Sequence, residues 1–412
     1  MGYHRWMITR VLAKCSACTE QIVLRITVAG GMQPFLLGCP YCRAEMHGSL
    51  DADPEHPFQL KSNDFERVST EETGTELAVP VNTDLPVRLS LVGQSADEAI
   101  MSPFIQATMV IGDDETADLM ARIDRMRQLE ESIFPYIRRA ASYFSRRDLG
   151  NLKQSLASAP GGGEIDFSRS DPVAVLGSGL AQLYAPIDSN TSREDAVIEW
   201  LTTIKRARER NDQEFRSVYE ELTAGPLGRH QARALDTSIA ILRDTTALFP
   251  AMWAERMESK CDINEYRVMR DDFDILKVRY QDIFELASRT LAFTSRVANV
   301  AYRGSSSEYT DGKNRTFNKA LNKTTAFNRE PWLSDFPIAA KMYRSMQRRV
   351  RNDIGHRLVK YDFESGKLIY EDGSSENYLG FLIGYLGAAR LSHYILNVCE
   401  ILWHLRETLS ES

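Results

Sequence analysis

Near the end of the chain an arginine, an asparagine and a histidine lie within one short segment: Arg351, Asn352 and His356. Histidine transfers protons near neutral pH because its unperturbed pKa is about 6.5. Arginine presents a fixed fork of N–H donors to phosphoryl oxygens, and asparagine can hold an imidazole or a phosphate in place. Metal-free cleavage of RNA needs a base for the ribose 2′-hydroxyl, an acid for the leaving oxygen and cations for the phosphorane. The residue types therefore predict phosphodiester chemistry.

The residues before this segment predict the helix that positions it. From Pro337 to Val350, apolar side chains recur every fourth residue and form one stripe that continues to Ile354. At about 100° per residue, a cationic row falls on the opposite side of this helix. We expect catalysis by Arg351, Asn352 and His356, and RNA binding by Lys341, Arg344 and Arg348.

One copy of the segment supplies one histidine, whereas cleavage works better with two. A symmetric dimer that pairs the same helix face from two chains would place two arginines and two histidines in one cleft. We therefore expect a homodimer with a composite site.

Arg351-Asn352-x-x-x-His356, between two apolar helices, resembles the RNxxxH signature of HEPN domains, and the resemblance covers roughly residues 263–412. It implies a helical bundle that dimerises and cleaves RNA without a metal, by attack of the 2′-hydroxyl, leaving a 2′,3′-cyclic phosphate. It also implies a role in a prokaryotic defence system of the toxin–antitoxin, abortive-infection or CRISPR-linked kind. An antitoxin or a trigger-sensing partner is then expected.

Four of the six cysteines form two CxxC pairs, Cys15/Cys18 and Cys39/Cys42. Two such turns can direct four thiolates at one point, which predicts a tetrahedral, structural Zn²⁺ site in a zinc ribbon. The run Gln21–Val28 and a second run, Pro34–Leu37, predict a β-hairpin between the two pairs. His47 is a candidate substitute ligand, although four thiolates already fill the shell.

The remaining patterns predict a mainly α protein with four consecutive regions. These are a zinc ribbon (1–60), a β-rich connector (61–112), a helical middle region (113–262) and a HEPN-like helical bundle (263–412). The bundle is expected to include a small hairpin around Ser365-Gly366 and to end with an apolar helix from Glu376 to about Leu409.

The composition predicts a soluble, cytoplasmic protein. The chain has 412 residues, of which 43% are hydrophobic and 26% charged, with a net charge of −7. No stretch approaches the roughly 20 apolar residues of a membrane span, and the first residues lack a signal-peptide pattern. Because the net charge is negative, RNA binding must depend on local basic patches.

Two functions remain open from the sequence. One is the dimeric endoribonuclease. The other is a non-catalytic adaptor that binds nucleic acid or protein through its zinc ribbon and its bundle. A zinc-dependent hydrolase is disfavoured, because four thiolates leave no open coordination position and no HExxH motif occurs.

Overall fold

The computed structural model describes residues 7–28, 31–52, 59–69, 76–95, 101–188, 192–270, 272–310, 312–322, 330–344, 346, 352 and 359–410. These residues are predominantly helical with small sheets, in agreement with the expected mainly α composition. The chain divides into two compact units. The first combines Met1–Ala121, Thr245–Val278 and Asp353–Tyr385, and the second combines Arg122–Asp244, Arg279–Asn352 and Leu386–Ser412. The four consecutive regions expected from the sequence stay a prediction.

The described strands of the N-terminal segment form two main sheets. They are β1 (Met7–Cys15), β2 (Gln21–Val28), β3 (Gly31–Gly38), β4 (Glu45–Ala52), β5 (Gln59–Lys61), β6 (Phe65–Arg67), β7 (Leu77–Val81), β8 (Val87–Arg88) and β9 (Gln94–Ser95). One sheet has the order β6-β1-β2-β7-β9, and the other has the order β3-β4-β5, while β8 belongs to neither of them. A shared apolar core, which includes Ile22, Leu24, Phe35 and Leu37, lies between their strands.

The predicted hairpin between the two cysteine pairs is wrong. β2 pairs antiparallel with β1, from Met7↔Val28 to Lys14↔Gln21, and parallel with β7. β3 pairs instead with β4, from Gly31↔Ala52 to Gly38↔Glu45. Each CxxC turn reverses the chain direction, so the strands on either side of that turn pair with each other. The cysteine pairs therefore form the turns of two separate hairpins.

The described α-helices follow in chain order. They are α1 (Pro103–Ile111), α2 (Asp113–Ser132), α3 (Phe134–Ser145), α4 (Leu149–Ala157), α5 (Pro172–Tyr184), α6 (Ser192–Thr223), α7 (Pro226–Arg243), α8 (Phe249–Met257), α9 (Phe273–Arg303), α10 (Phe317–Asn322), α11 (Ala339–Tyr343) and α12 (Tyr378–Ser410). Local signals explain several helix starts. Asp148 caps α4, and Asp171 caps α5 directly before Pro172, a residue suited to the first helical turn.

Short strands complete the first unit. β10 (Tyr266–Arg267) pairs with β8, and β11 (Val359–Asp362), β12 (Lys367–Tyr370) and β13 (Ser375–Asn377) form an antiparallel sheet. The hairpin predicted around Ser365-Gly366 is confirmed, and β13 extends it to three strands. Gly366 has a φ of 67°, a left-handed conformation that favours glycine at this turn.

The long apolar helix expected at the end of the chain is confirmed as α12. The stretch Tyr378–Leu405 is long and apolar enough to cross a membrane, with a mean hydropathy of 1.2 in an 18-residue window, but 72% of that window is buried inside the protein. Burial on several sides explains why apolar residues surround this helix. It is built as a core helix.

The helix predicted over Pro337–Val350 is shorter than expected. α11 ends at Tyr343, and Met346 lies in a bend whose backbone N–H donates to the carbonyl of Tyr343 at 3.0 Å. Residues 347–350 lie outside the described part of the chain. The fourth-residue apolar pattern does not reveal the end of α11 at Tyr343, because that pattern continues through the bend at Met346.

Candidate functional site

The four cysteines of the two CxxC pairs meet at one point. Cys15 ends β1 and Cys18 precedes β2, while Cys39 follows β3 and Cys42 precedes β4. We name the two turns, residues 15–20 and 39–44, the first and second knuckles. Among the described residues, these four cysteines form the group whose ligand atoms lie close enough together to hold a metal ion.

The two knuckles share the same backbone hydrogen bonds. The N–H of Thr19 donates to the Cys15 carbonyl at 2.9 Å, and the N–H of Arg43 donates to the Cys39 carbonyl at 2.8 Å. Thr19 and Arg43 also have matching positive φ angles, 64° and 63°. Left-handed backbone at a non-glycine residue has an energetic cost, so the same conformation at both turns indicates a geometry that each knuckle requires.

The sulfur positions fit a tetrahedral metal. All four Sγ atoms lie within 4.8 Å of one another, with Cys15 Sγ 3.9 Å from Cys42 Sγ and Cys18 Sγ 3.7 Å from Cys39 Sγ. A tetrahedron with metal–sulfur bonds of about 2.3 Å has sulfur–sulfur edges of about 3.8 Å. The chain therefore brings together four ligands that can hold one metal ion.

The electrostatics of these thiols also favour a cation. Burial raises the pKa of the Cys39 thiol to about 12, because the thiolate is poorly solvated there. Hydrogen bonding from the backbone of Ala44 lowers the pKa of Cys42, which lies at the exposed side of the site. Four adjacent thiolates repel one another unless a cation lies between them, and a metal ion supplies that charge.

His47, the candidate substitute ligand, lies outside this sulfur group. Its Nε2 lies 3.4 Å from a carboxylate oxygen of Glu45, and its backbone N–H donates to Asp64 Oδ2 at 2.9 Å. The carbonyl of Asp64 accepts from the N–H of Ser16 in the first knuckle at 3.0 Å. Asp64 thus connects β4 to the first knuckle.

The second knuckle contacts residues that are distant in sequence. A Cβ added at Gly38 would lie 2.7 Å from the Phe363 ring, so this ring packs directly on the glycine backbone. Arg43 Nε lies 4.0 Å from Glu364 Oε1, and the Tyr41 hydroxyl accepts from the N–H of Leu77 at 3.2 Å. Sequence reasoning missed Phe363 and Glu364, and the unusual glycine before Cys39 was the available signal.

The RNxxxH segment is described only in part. Arg348, Arg351 and His356 lie outside the described residues, and Asn352 is helical and half-buried. Lys341 and Arg344 are exposed beside the buried Met342, as the predicted two-sided helix requires. The carboxylate of Glu199 on α6 accepts from the N–H groups of Ile338 and Ala339, which fixes the start of α11.

The other described histidines have structural environments. Burial lowers the pKa of His230 to about 3, and its Nε2 lies 2.6 Å from Thr290 Oγ1. His393 is fully buried, with Nδ1 2.7 Å from Asp188 Oδ2. His404 Nδ1 lies 3.9 Å from Asp171 Oδ2 near the surface. His393 therefore lies in the protein core, and His404 lies nearer the surface.

No family model, curated protein or solved structure matches this chain.

Proposed function

We propose that this chain is a metal-independent endoribonuclease, and that Arg351, Asn352 and His356 form its catalytic group. The observation that carries the proposal is their spacing, R-N-x-x-x-H, in the segment that follows the exposed cations Lys341 and Arg344. Two copies of the segment, one from each chain of a homodimer, form the cleft. We infer a cytoplasmic defence role, with an antitoxin or trigger-sensing partner, from the HEPN resemblance alone.

In this mechanism His356 accepts the proton of the ribose 2′-hydroxyl, and the resulting oxygen attacks the adjacent phosphorus. The second copy's histidine protonates the leaving 5′-oxygen. Arg351 stabilises the charge that develops on the phosphoryl oxygens, and Asn352 orients the imidazole. The products are a 2′,3′-cyclic phosphate and a free 5′-hydroxyl, so no water or metal enters this step.

Two features of the described residues support this proposal. Lys341 and Arg344 point two cations at solvent on the element that precedes the motif. The buried histidines, His230 and His393, hydrogen-bond or ion-pair inside the second unit, where RNA does not reach them. His356 is thus the better candidate for proton transfer to RNA.

We further propose that the metal at Cys15, Cys18, Cys39 and Cys42 is Zn²⁺ in a structural role. Four sulfur ligands at tetrahedral spacing suit zinc, because structural zinc sites are almost always tetrahedral and zinc binds thiolates well. Such a shell holds no open position for water or substrate. Zinc would stabilise the two hairpins, and catalysis would depend on the other end of the chain.

The deciding experiment incubates wild type, H356A and the control H404A with total cellular RNA, followed by analysis of fragment ends. His404 is a half-exposed histidine on α12, so H404A controls for loss of a surface imidazole. We expect cyclic phosphate ends with wild type and H404A and none with H356A, and EDTA should not abolish cleavage by zinc-saturated protein. Equal cleavage by all three proteins, or none by wild type with any RNA, contradicts the proposal.

The second candidate is a non-catalytic adaptor. The four-cysteine group favours this function, because all four of its metal ligands lie in the described part of the chain. Tyr41 and Arg43 are exposed beside these cysteines. This function requires the knuckles and not the motif. C39S should then abolish binding of nucleic acid or protein while R351A and H356A retain it, the reverse of the pattern expected for the nuclease.

A further inference from the structure

The turn between β11 and β12 lies against the second knuckle. Gly38 and Arg43 flank the ligands Cys39 and Cys42 on either side, and both contact this turn. The Phe363 ring packs on the backbone of Gly38, where a Cβ would lie 2.7 Å from the ring, and Arg43 lies 4.0 Å from Glu364. The exposed ion pair adds little, so the ring contact is the dominant one.

The turn is itself held in one conformation. Asp362 accepts hydrogen bonds from the N–H groups of Glu364 and Ser365, at 3.4 and 3.3 Å. Gly366 has a positive φ and packs on Arg267, since a Cβ there would lie 2.6 Å from the Arg267 Cβ. A displacement of Phe363 therefore moves the whole turn rather than one side chain.

The strand that leads into the second knuckle is tied to the same region. The N–H of Leu36 on β3 donates to the Met269 carbonyl at 3.1 Å, and Phe35 forms a β-bridge with Arg270. The buried Arg267, two residues before Met269, donates from Nη1 to the carbonyl of Phe363 at 3.2 Å. β3, residues 267–270 and the β11–β12 turn thus form one continuous set of contacts within the first unit.

We propose that metal occupancy of the four-cysteine centre controls the position of the β11–β12 turn and of the sheet β11-β12-β13. A bound metal holds Cys39 and Cys42 together and keeps Gly38 in place beneath Phe363. Without the metal, the thiols of the second knuckle are no longer held to the first knuckle. Gly38 is then no longer held in position against the Phe363 ring. This coupling does not depend on catalysis.

The coupling has a consequence for RNA cleavage, and this part rests on the proposed function. β11 begins at Val359, three residues after His356. A change at the start of β11 therefore lies close in sequence to the proposed catalytic histidine. The metal centre would then regulate the nuclease without taking part in its chemistry.

Coupling between two sites is reciprocal. If metal binding stabilises the position of the turn, a substitution that weakens the contact between the turn and the knuckle should lower the affinity for the metal. We therefore compare zinc affinity by competition with a chromogenic chelator for the full-length wild type, F363A, G38A and the control I369A. Ile369 lies on β12 and is 38% exposed, so I369A removes apolar surface from the same sheet without changing the Gly38–Phe363 contact pair. We expect F363A and G38A to bind zinc on the order of 10-fold more weakly, as for other residues that support metal ligands, and I369A to match wild type.

Hydrogen exchange provides the reverse measurement. In wild type, removal of zinc should accelerate exchange at the amides of β11 and β12 and leave α7 unchanged. Equal zinc affinity in F363A, G38A and wild type, or unchanged exchange in β11 and β12, overturns the coupling. If F363A does not fold, G38A decides, because it keeps the Phe363 side chain and disturbs its contact with the Gly38 backbone.

Both measurements are independent of the nuclease. H356A should keep wild-type zinc affinity and wild-type exchange. If no cleavage is found while the affinity and exchange changes occur, the coupling stands and the proposed function fails. If H356A abolishes cleavage while F363A and G38A bind zinc normally, the proposed function stands and the coupling fails.

Discussion

The carboxylate of Glu199 accepts a hydrogen bond from the backbone N–H of Ala339 at 2.9 Å, and its second oxygen accepts from Ile338 at the same distance. One side chain of α6 therefore satisfies two backbone donors at the start of α11. Negative charge at a helix N-terminus is stabilising, because the free N–H groups there carry partial positive charge. Glu199 orients the element that carries Lys341 and Arg344.

E199A should destabilise the protein by about 0.5–2 kcal/mol, the range found for loss of a helix N-cap. E199Q should cost less, because one amide oxygen can still accept. Urea unfolding measures both variants. The control is E209Q, since Glu209 is an exposed residue of the same helix that pairs with Lys205 at 3.9 Å. Equal stability of E199A and E209Q would show that the contact contributes nothing.

The wild-type chain should bind one equivalent of zinc, and C39S should bind it with greatly reduced affinity. Cys39 is a buried ligand with its pKa raised to about 12, so the metal must displace a tightly held proton, and serine cannot replace the thiolate. Metal content after dialysis is the measurement. C261S is the control, because Cys261 is not part of the sulfur group. Loss of zinc from both variants would point to a general folding defect.

Stability should depend on pH through Glu400. Burial raises the pKa of this carboxyl from 4.5 to about 7, and its Oε1 lies so close to Gly177 that a Cβ there would be 2.2 Å away. The folded state then holds this proton more tightly than the unfolded state. Stability from this group is highest at or below pH 4.5 and falls as the pH rises toward 7.

E400Q removes this titration and should be more stable than wild type at pH 8, by up to about 3 kcal/mol, and nearly equal at pH 4.5. Urea unfolding of both proteins at several pH values gives the difference. E255Q, a change of a half-exposed glutamate on α8, serves as the control. A difference between E400Q and wild type that is the same at every pH would refute the titration.

RNA binding should lose part of its salt dependence in the double variant K341A/R344A. Each phosphate contact to single-stranded RNA contributes about −0.7 to the slope of log K against log salt concentration, so two lost contacts change the slope by about 1.4. Filter binding of a single-stranded RNA at several salt concentrations measures the slope. K153A, which removes an exposed lysine from α4, should leave the slope unchanged. If K153A and the double variant change it equally, α11 has no special role.

The local patterns of the sequence determined several features of this protein. The two CxxC pairs indicated a four-sulfur group, because their spacing alone can direct two thiolates from each turn at one point. The apolar run after Glu376 indicated a buried helix, and the Ser365-Gly366 turn indicated a hairpin. In each case the signal lies within a few consecutive residues, where steric preference and side-chain periodicity act directly.

Only the tertiary structure decided how these parts pair. Gln21–Val28 and Pro34–Leu37 both have strand patterns, but strand type does not determine the partner, and each pairs across its own knuckle. The contact of Gly38 with Phe363 and the capping of α11 by Glu199 join residues far apart in the sequence. Such contacts depend on the packing of the whole unit, which no short window of sequence encodes, and they determine what the metal centre and the cationic helix can influence.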